Sequence, residues 1–129
     1  MNKILVEVSV GELLDKISIL DIKQEKIKDP EKLKFINAEH CILKDQLDNN
    51  VKSDEKLNIL FQSLKDINAK LWVIEDDKRL CEKNSDFTEN FIKLSRDVHF
   101  LNDDRAKIKL LDIIFRKKIY FLLKTIFFF

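Results

Sequence analysis

The chain holds one glycine, Gly11, and one proline, Pro30, among its 129 residues. Tight turns between strands draw heavily on both residue types, so a sheet-rich fold is excluded and a helical one expected. A single glycine also rules out a Gly-rich phosphate loop. The two cysteines, Cys41 and Cys81, belong to no CxxC or Cys/His cluster, so they read as free thiols in a reducing compartment. His40 and His99 are each isolated in sequence and read as packed or surface residues. No run reaches the ~18 apolar residues of a spanning helix. Met1 to Glu7 lacks the pattern of a signal peptide, which makes a cytoplasmic protein the expectation. Charge of one sign is missing too. The 24 Lys and Arg are interleaved with 23 Asp and Glu, for a net +1, so no basic face points to nucleic acid. No Ser/His/Asp constellation and no metal-ligand spacing occur, so no catalytic residue, metal ligand or cofactor is assigned.

What is present is apolar residue and charge in quantity. At 45% hydrophobic and 36% charged, the chain is too apolar for disorder and suits charge-rich helices around one core. Residues 3–8 are β-branched but have no second strand to pair with. Ser9-Val10-Gly11-Glu12 is a capping box: the Ser9 hydroxyl accepts from the Glu12 N–H, and the Glu12 carboxylate reaches back to the Ser9 N–H. It starts a helix over about 10–28, with Leu13, Ile17 and Leu20 on one face and Ile19 and Ile22 on another. Two apolar strips predict a central helix. Asp29-Pro30 caps a second helix over about 30–47, ended by Asp48-Asn49-Asn50. Ser53 opens a third over about 54–83, in which Leu57, Leu60, Leu64, Ile67, Leu71 and Ile74 repeat at spacings of 3 and 4. Phe87, Phe91, Leu94, Val98 and Leu101 give a fourth over about 87–115, continuous through Asn102-Asp103-Asp104. The fold class is all-α: an antiparallel bundle or pair of helical hairpins with two long and two shorter helices. Residues 1–115 form one domain, and 116–129 a Phe- and Lys-rich tail of different composition.

Charge interrupts the apolar stripes at particular places. Along helix 3, Glu75 falls in line with Leu57, Lys78 with Leu60, and Arg79 with Phe61. On helix 4, Arg105 occupies the centre of the stripe, beside Asn102. Helix 1 adds Glu12, Asp15 and Lys16 near its start. A buried unpaired charge is costly, so Arg105 is expected to meet a carboxylate, with Glu75, Glu12 and Asp15 the candidates. A simple hairpin register sets Arg105 nearer Lys65, which favours a partner from helix 1. The candidate ligand-binding set is therefore Glu12, Asp15, Lys16, Glu75, Asp76, Arg79, Asn102 and Arg105. Its functional reading is a polar pocket for a phosphorylated or anionic ligand, with carboxylates able to hold Mg²⁺. Its structural reading, which weighs more, is a salt-bridge network that fixes helix register.

Three segments share a pattern: Val8-Ser9-Val10-Gly11-Glu12-Leu13-Leu14-Asp15-Lys16-Ile17, Leu71-Trp72-Val73-Ile74-Glu75-Asp76-Asp77 and Asn102-Asp103-Asp104-Arg105-Ala106-Lys107-Ile108-Lys109. Together they resemble an uncharacterised bacterial family of small helical proteins, a domain of unknown function, over about residues 4–111. The resemblance implies an all-helical fold and a bacterial source, and no established activity. The family pattern ends in a polar tail, from which residues 116–129 depart; an altered reading frame or an interfacial anchor would each give such an end. Glu12-Leu13-Leu14-Asp15 is similar to one acidic motif of helical nucleotide pyrophosphohydrolases, but the paired ExxE is missing.

Three functions follow as expectations. The first is a non-enzymatic interaction or scaffold protein, with a protein partner or a second copy through a coiled-coil-like stripe. The second is a small enzyme or binding protein for an anionic ligand. The third is a peripheral membrane protein linked to cell-surface glycan assembly, engaging the membrane surface through Arg116 to Phe129.

Overall fold

The computed structural model describes residues 3–117, which form four helices and, among the described residues, no strand. Helix α1 spans Val10–Lys26, α2 Pro30–Asn50, α3 Glu55–Lys83 and α4 Glu89–Lys117. The all-α expectation holds, and residues 3–8 run exposed into α1. The boundaries differ from the sequence reading by two or three residues at several ends. Helix α1 stops at Lys26, two residues early. Helix α2 continues through Asp48, Asn49 and Asn50, where the Asn50 side-chain amide donates to the Gln46 carbonyl at 2.8 Å and supports the last turn. The cap of α3 is Asp54 rather than Ser53, because its carboxylate accepts from the Leu57 N–H at 2.8 Å. Before α4, Asp86 Oδ1 accepts from both the backbone N–H and the hydroxyl of Thr88, which delays the helix to Glu89. From there α4 runs unbroken through Asn102-Asp103-Asp104, as its in-phase stripe predicts.

The core is built where α1 lies on α2 and on the first half of α3. Leu14 and Ile17 from α1 meet Leu47 from α2 and Leu57 and Leu64 from α3, with Leu13, Leu43, Leu60, Phe61 and Ile108 packed around them. Leu14 and Leu64 are 1% and 0% exposed. Full burial of such a side chain stabilises by roughly 1.5–3 kcal/mol, so these positions anchor the fold. Helix α1 touches all three other helices, which accounts for its second apolar strip and for the burial of Ile22. Helices α3 and α4 form an antiparallel hairpin whose 29-residue arms, at 1.5 Å per residue, are each about 43 Å long. The 17 residues of α1 cover only about 25 Å.

Gly11 sets how closely α1 approaches α4. A Cβ at this position would stand 3.3 Å from the Lys109 Cα, tighter than ordinary van der Waals contact. The sole glycine of the chain thus lets two backbones meet. That contact brings Glu12, the next residue, and Asp15, one turn further along α1, up to Lys109.

Candidate functional site

A polar network joins α1, α3 and α4 immediately above the apolar core. Its centre is Asn68, which is 5% exposed on α3. The Asn68 amide nitrogen donates to Asp15 Oδ1 at 2.7 Å and to the Ser18 hydroxyl oxygen at 2.8 Å. Ser18 in turn donates to the Asp15 carbonyl at 2.7 Å. The Asn68 carbonyl oxygen accepts from the Arg105 guanidinium at 2.9 Å, and a second guanidinium nitrogen donates to the Asn102 side-chain oxygen at 2.9 Å. The Lys109 ammonium donates to Asp15 Oδ2 and to Glu12 Oε2, both at 3.0 Å. Asp15 is 4% exposed and has both carboxylate oxygens occupied. Two acids and two cations balance within the network.

Helical spacing places each group. Asp15 and Ser18 are three residues apart on the buried side of α1 and flank Ile17 there. Asn68 lies four residues after Leu64 and three before Leu71, so it occupies a core position of the α3 stripe. Asn102, Arg105 and Lys109 follow one another at spacings of 3 and 4 along α4. Burial disfavours a charged Lys109, but the hydrogen bonds it donates to Asp15 and Glu12 outweigh that cost and hold its pKa above the ordinary lysine value.

The expectation that Arg105 meets a carboxylate, from Glu75, Glu12 or Asp15, is corrected: among the described residues it pairs with no acid. Arg105 bonds to two amide oxygens, and Asn68 passes the interaction on to Asp15. A hairpin register that sets Arg105 near Lys65 is off by less than one turn. Asn68 carries no charge and so does not stand out in the sequence as a partner for Arg105. The legible signal was a lone amide in phase with Leu57, Leu64 and Leu71. Ser18, one turn from Asp15, is hidden in the same way. The capping box is half formed: Ser9 Oγ accepts from the Glu12 N–H at 3.1 Å, while the Glu12 carboxylate takes the Lys109 ammonium, the stronger partner.

Of the eight candidate residues, the structure brings together Glu12, Asp15, Asn102 and Arg105. It does not bring the other four to them. Lys16 points from the exposed side of α1. Glu75 lies seven residues beyond Asn68, about 10 Å along α3, half-buried and outside the network. Asp76 and Arg79 pair with each other at 2.9 Å on the surface, with side chains 56% and 74% exposed. Glu75 is half-buried, as its alignment with Leu57 predicts, but Arg79 is exposed and not on the buried side where its phase with Phe61 would set it, since phase does not say how far α1 extends along the face.

A second cluster joins α1, α2 and α3. His40 Nε2 lies 2.7 Å from Asp21 Oδ1, so His40 is not isolated once the helices pack. Lys65 reaches Glu25 at 3.1 Å and Asp21 at 3.6 Å. The Glu25 hydrogen bond raises the Lys65 pKa against some desolvation, with Asp21 adding to it. Among the described residues, no three His, Cys, Asp or Glu side chains converge as metal ligands.

The larger surface hollows lie elsewhere. One of about 610 Å³ is lined by Ala69, Val73, Ile74, Phe100 and Leu101 between α3 and α4. Another of about 600 Å³ is lined by Ile59, Leu60, Leu111, Asp112, Phe115 and Arg116 at the other end of the hairpin. Neither is lined by Asp15, Asn68, Arg105 or Lys109.

Over residues 4–124 the chain matches the model of a family of unknown function, DUF6165, and it belongs to that family. The match runs past residue 111, where the resemblance was expected to end, and takes in most of the Phe- and Lys-rich stretch. No curated protein and no solved structure matches the chain.

Proposed function

We propose that this member of the family is a helical interaction protein, in which the α1–α3–α4 network acts as a register lock. One observation carries the reading: the network is closed on itself. Both oxygens of Asp15, the amide and carbonyl of Asn68, and the Lys109 ammonium all bond to each other or to their immediate neighbours. A site for an anionic ligand would hold its cations ready; here Arg105 and Lys109 are already engaged. The hairpin, held in place by the lock, presents large apolar side chains to solvent. Val73, Leu80, Phe87, Ile92 and Phe100 are each half exposed or more, and Val73 and Phe100 flank one hollow. Apolar surface of this kind, rimmed by charge, suits a protein partner.

The reading is tested with purified chain and a Val73→Glu/Phe100→Glu double variant. The wild type is expected to recover a specific partner, or to self-associate measurably by sedimentation. The double variant should lose that association while keeping its helical circular dichroism. Equal association by both proteins overturns the assignment of this face. Metal-dependent turnover of phosphate esters by the purified wild type, abolished by Arg105→Ala, overturns the reading as a whole.

A further inference from the structure

Beyond that reading, and on a different surface, we propose that the hollow where α3 begins and α4 ends binds a small molecule. The ligand is uncharged and largely apolar, and it carries one N–H or O–H donor. The anchor is Asp112 on α4, which is 9% exposed and lines this hollow of about 600 Å³. Its Oδ1 accepts from the Arg116 Nε at 2.6 Å, one turn along the same helix. Asp112 Oδ2 is also buried. Among the described residues it is the one buried side-chain oxygen or nitrogen without a hydrogen-bond partner. Leaving a buried acceptor unpaired is costly, and nearly all such atoms in folded proteins are paired. Asp15, Ser18 and Asn68 follow that rule here. Asp112 breaks it, which points to a partner that the described residues do not supply.

The walls of the hollow set the rest of the ligand. Leu60 and Ile108 belong to the packing around the core, so they give a firm floor. Ile59, Leu111 and Phe115 are 59%, 51% and 73% exposed and form the rim. Apolar walls with a few placed polar groups, at ~300–1,000 Å³, are the usual make-up of a small-molecule site. Asp54 and Asp112 balance Lys56 and Arg116 in the lining, so neither an anion nor a cation gains from the net charge. A carboxylate only accepts, so the ligand must donate. Water does not reach Oδ2. A donor on an apolar body reaches it by parting the exposed side chains of Leu111 and Phe115. The hollow beside Val73 and Phe100 is as large, but no unpaired buried polar atom lines it among the described residues. That difference puts the site at Asp112.

The test uses the full chain and N-phenyl-1-naphthylamine, an uncharged probe with one N–H whose fluorescence rises in apolar surroundings. Its partner probe is 1-benzylnaphthalene, in which a CH₂ replaces the N–H, measured by displacement of the first. Wild type is expected to bind the amine saturably and to prefer it by about ten-fold, the worth of a hydrogen bond to a carboxylate. In Asp112→Asn the amide oxygen stays with Arg116 and the amide NH₂ takes the place of the free oxygen, so the preference should vanish. Ile59→Arg changes an exposed rim residue, leaves the fold intact and should weaken both probes alike. Val73→Glu/Phe100→Glu should bind them as wild type does, which keeps this outcome separate from the interaction test above. Four results would overturn the proposal. They are no saturable binding by wild type, equal affinity for the two probes, a preference that survives in Asp112→Asn, and binding lost in Val73→Glu/Phe100→Glu but kept in Ile59→Arg.

Discussion

Asn68 holds the molecule's polar centre by having both a donor and an acceptor on one planar group. The Asp15 carboxylate accepts only and the Arg105 guanidinium donates only, so an amide placed between them satisfies both at once. Asn68→Leu would keep the volume and the stripe while stripping a hydrogen bond from a buried carboxylate and another from a half-buried guanidinium. We expect a loss of about 2–4 kcal/mol of stability in urea unfolding, with unchanged helical content in the folded state. A loss below the ~0.5 kcal/mol of a typical surface change would mean that Asn68 does not hold the lock. Much of this region was legible in the sequence: the stripe phase put Arg105 on the buried side of α4, and the hairpin register pointed to helix 1, where Asp15 lies, for the network it joins. The bonding pattern was not, because a carboxylate and an amide look equally polar on a helical wheel. Which one sits between two charges depends on the distance between helices, and that distance is set here by the contact of Gly11 with Lys109.

At the scale of helices, the ends are decided by local hydrogen bonds, and one end carries strain. Helix α3 closes with Ser85 at φ 54°, in the left-handed region. The Ser85 N–H donates to the Glu82 carbonyl at 3.2 Å, and the Asp86 N–H to the Cys81 carbonyl at 2.8 Å. This is the two-bond closure that usually has glycine at its left-handed position. An L residue there costs ~1–2 kcal/mol, part of which a glycine recovers, less the extra freedom it gives the unfolded chain. Ser85→Gly should therefore raise stability by about 0.5–1 kcal/mol, seen as a higher Tm with the same unfolding cooperativity. A lower Tm would show that the Ser85 side chain contributes more than its backbone costs. The scarcity of glycine indicated long helices correctly, yet it hid this turn, since Asn84-Ser85-Asp86 marks a break without revealing which residue takes the left-handed conformation. The length of helix actually covered by neighbours was hidden too. Glu75 and Arg79 continue the α3 stripe in phase, but the polar contacts of α1 with the hairpin fall at Lys65, Asn68 and Lys109.

Taken as a whole, the molecule is a long hairpin clasped at one end by α1 and α2, and two lysines help to hold the clasp. Lys109 ties α4 to Glu12 and Asp15, and Lys65 ties α3 to Glu25 and Asp21. Both have pKa values raised in the folded state. A group whose folded pKa exceeds its unfolded one binds its proton more tightly when folded. Its contribution is fully present below the unfolded value, ~10.4 for lysine, and is lost as pH climbs through the raised folded value. Alkaline pH should therefore weaken the clasp. The clean measurement is a difference between wild type and Lys109→Met, each unfolded in urea across a pH series. At neutral pH, Lys109→Met is expected to be the less stable, since it leaves Asp15 Oδ2 and the Glu12 carboxylate without their shared cation. Above about pH 10 the wild type loses that advantage as its own lysine deprotonates, and the two stability curves should converge. Contributions from the rest of the sequence are common to both proteins and cancel. Curves that stay parallel to the alkaline limit would show that Lys109 stabilises through its packed methylene chain against Gly11, and that its charge contributes nothing to the clasp.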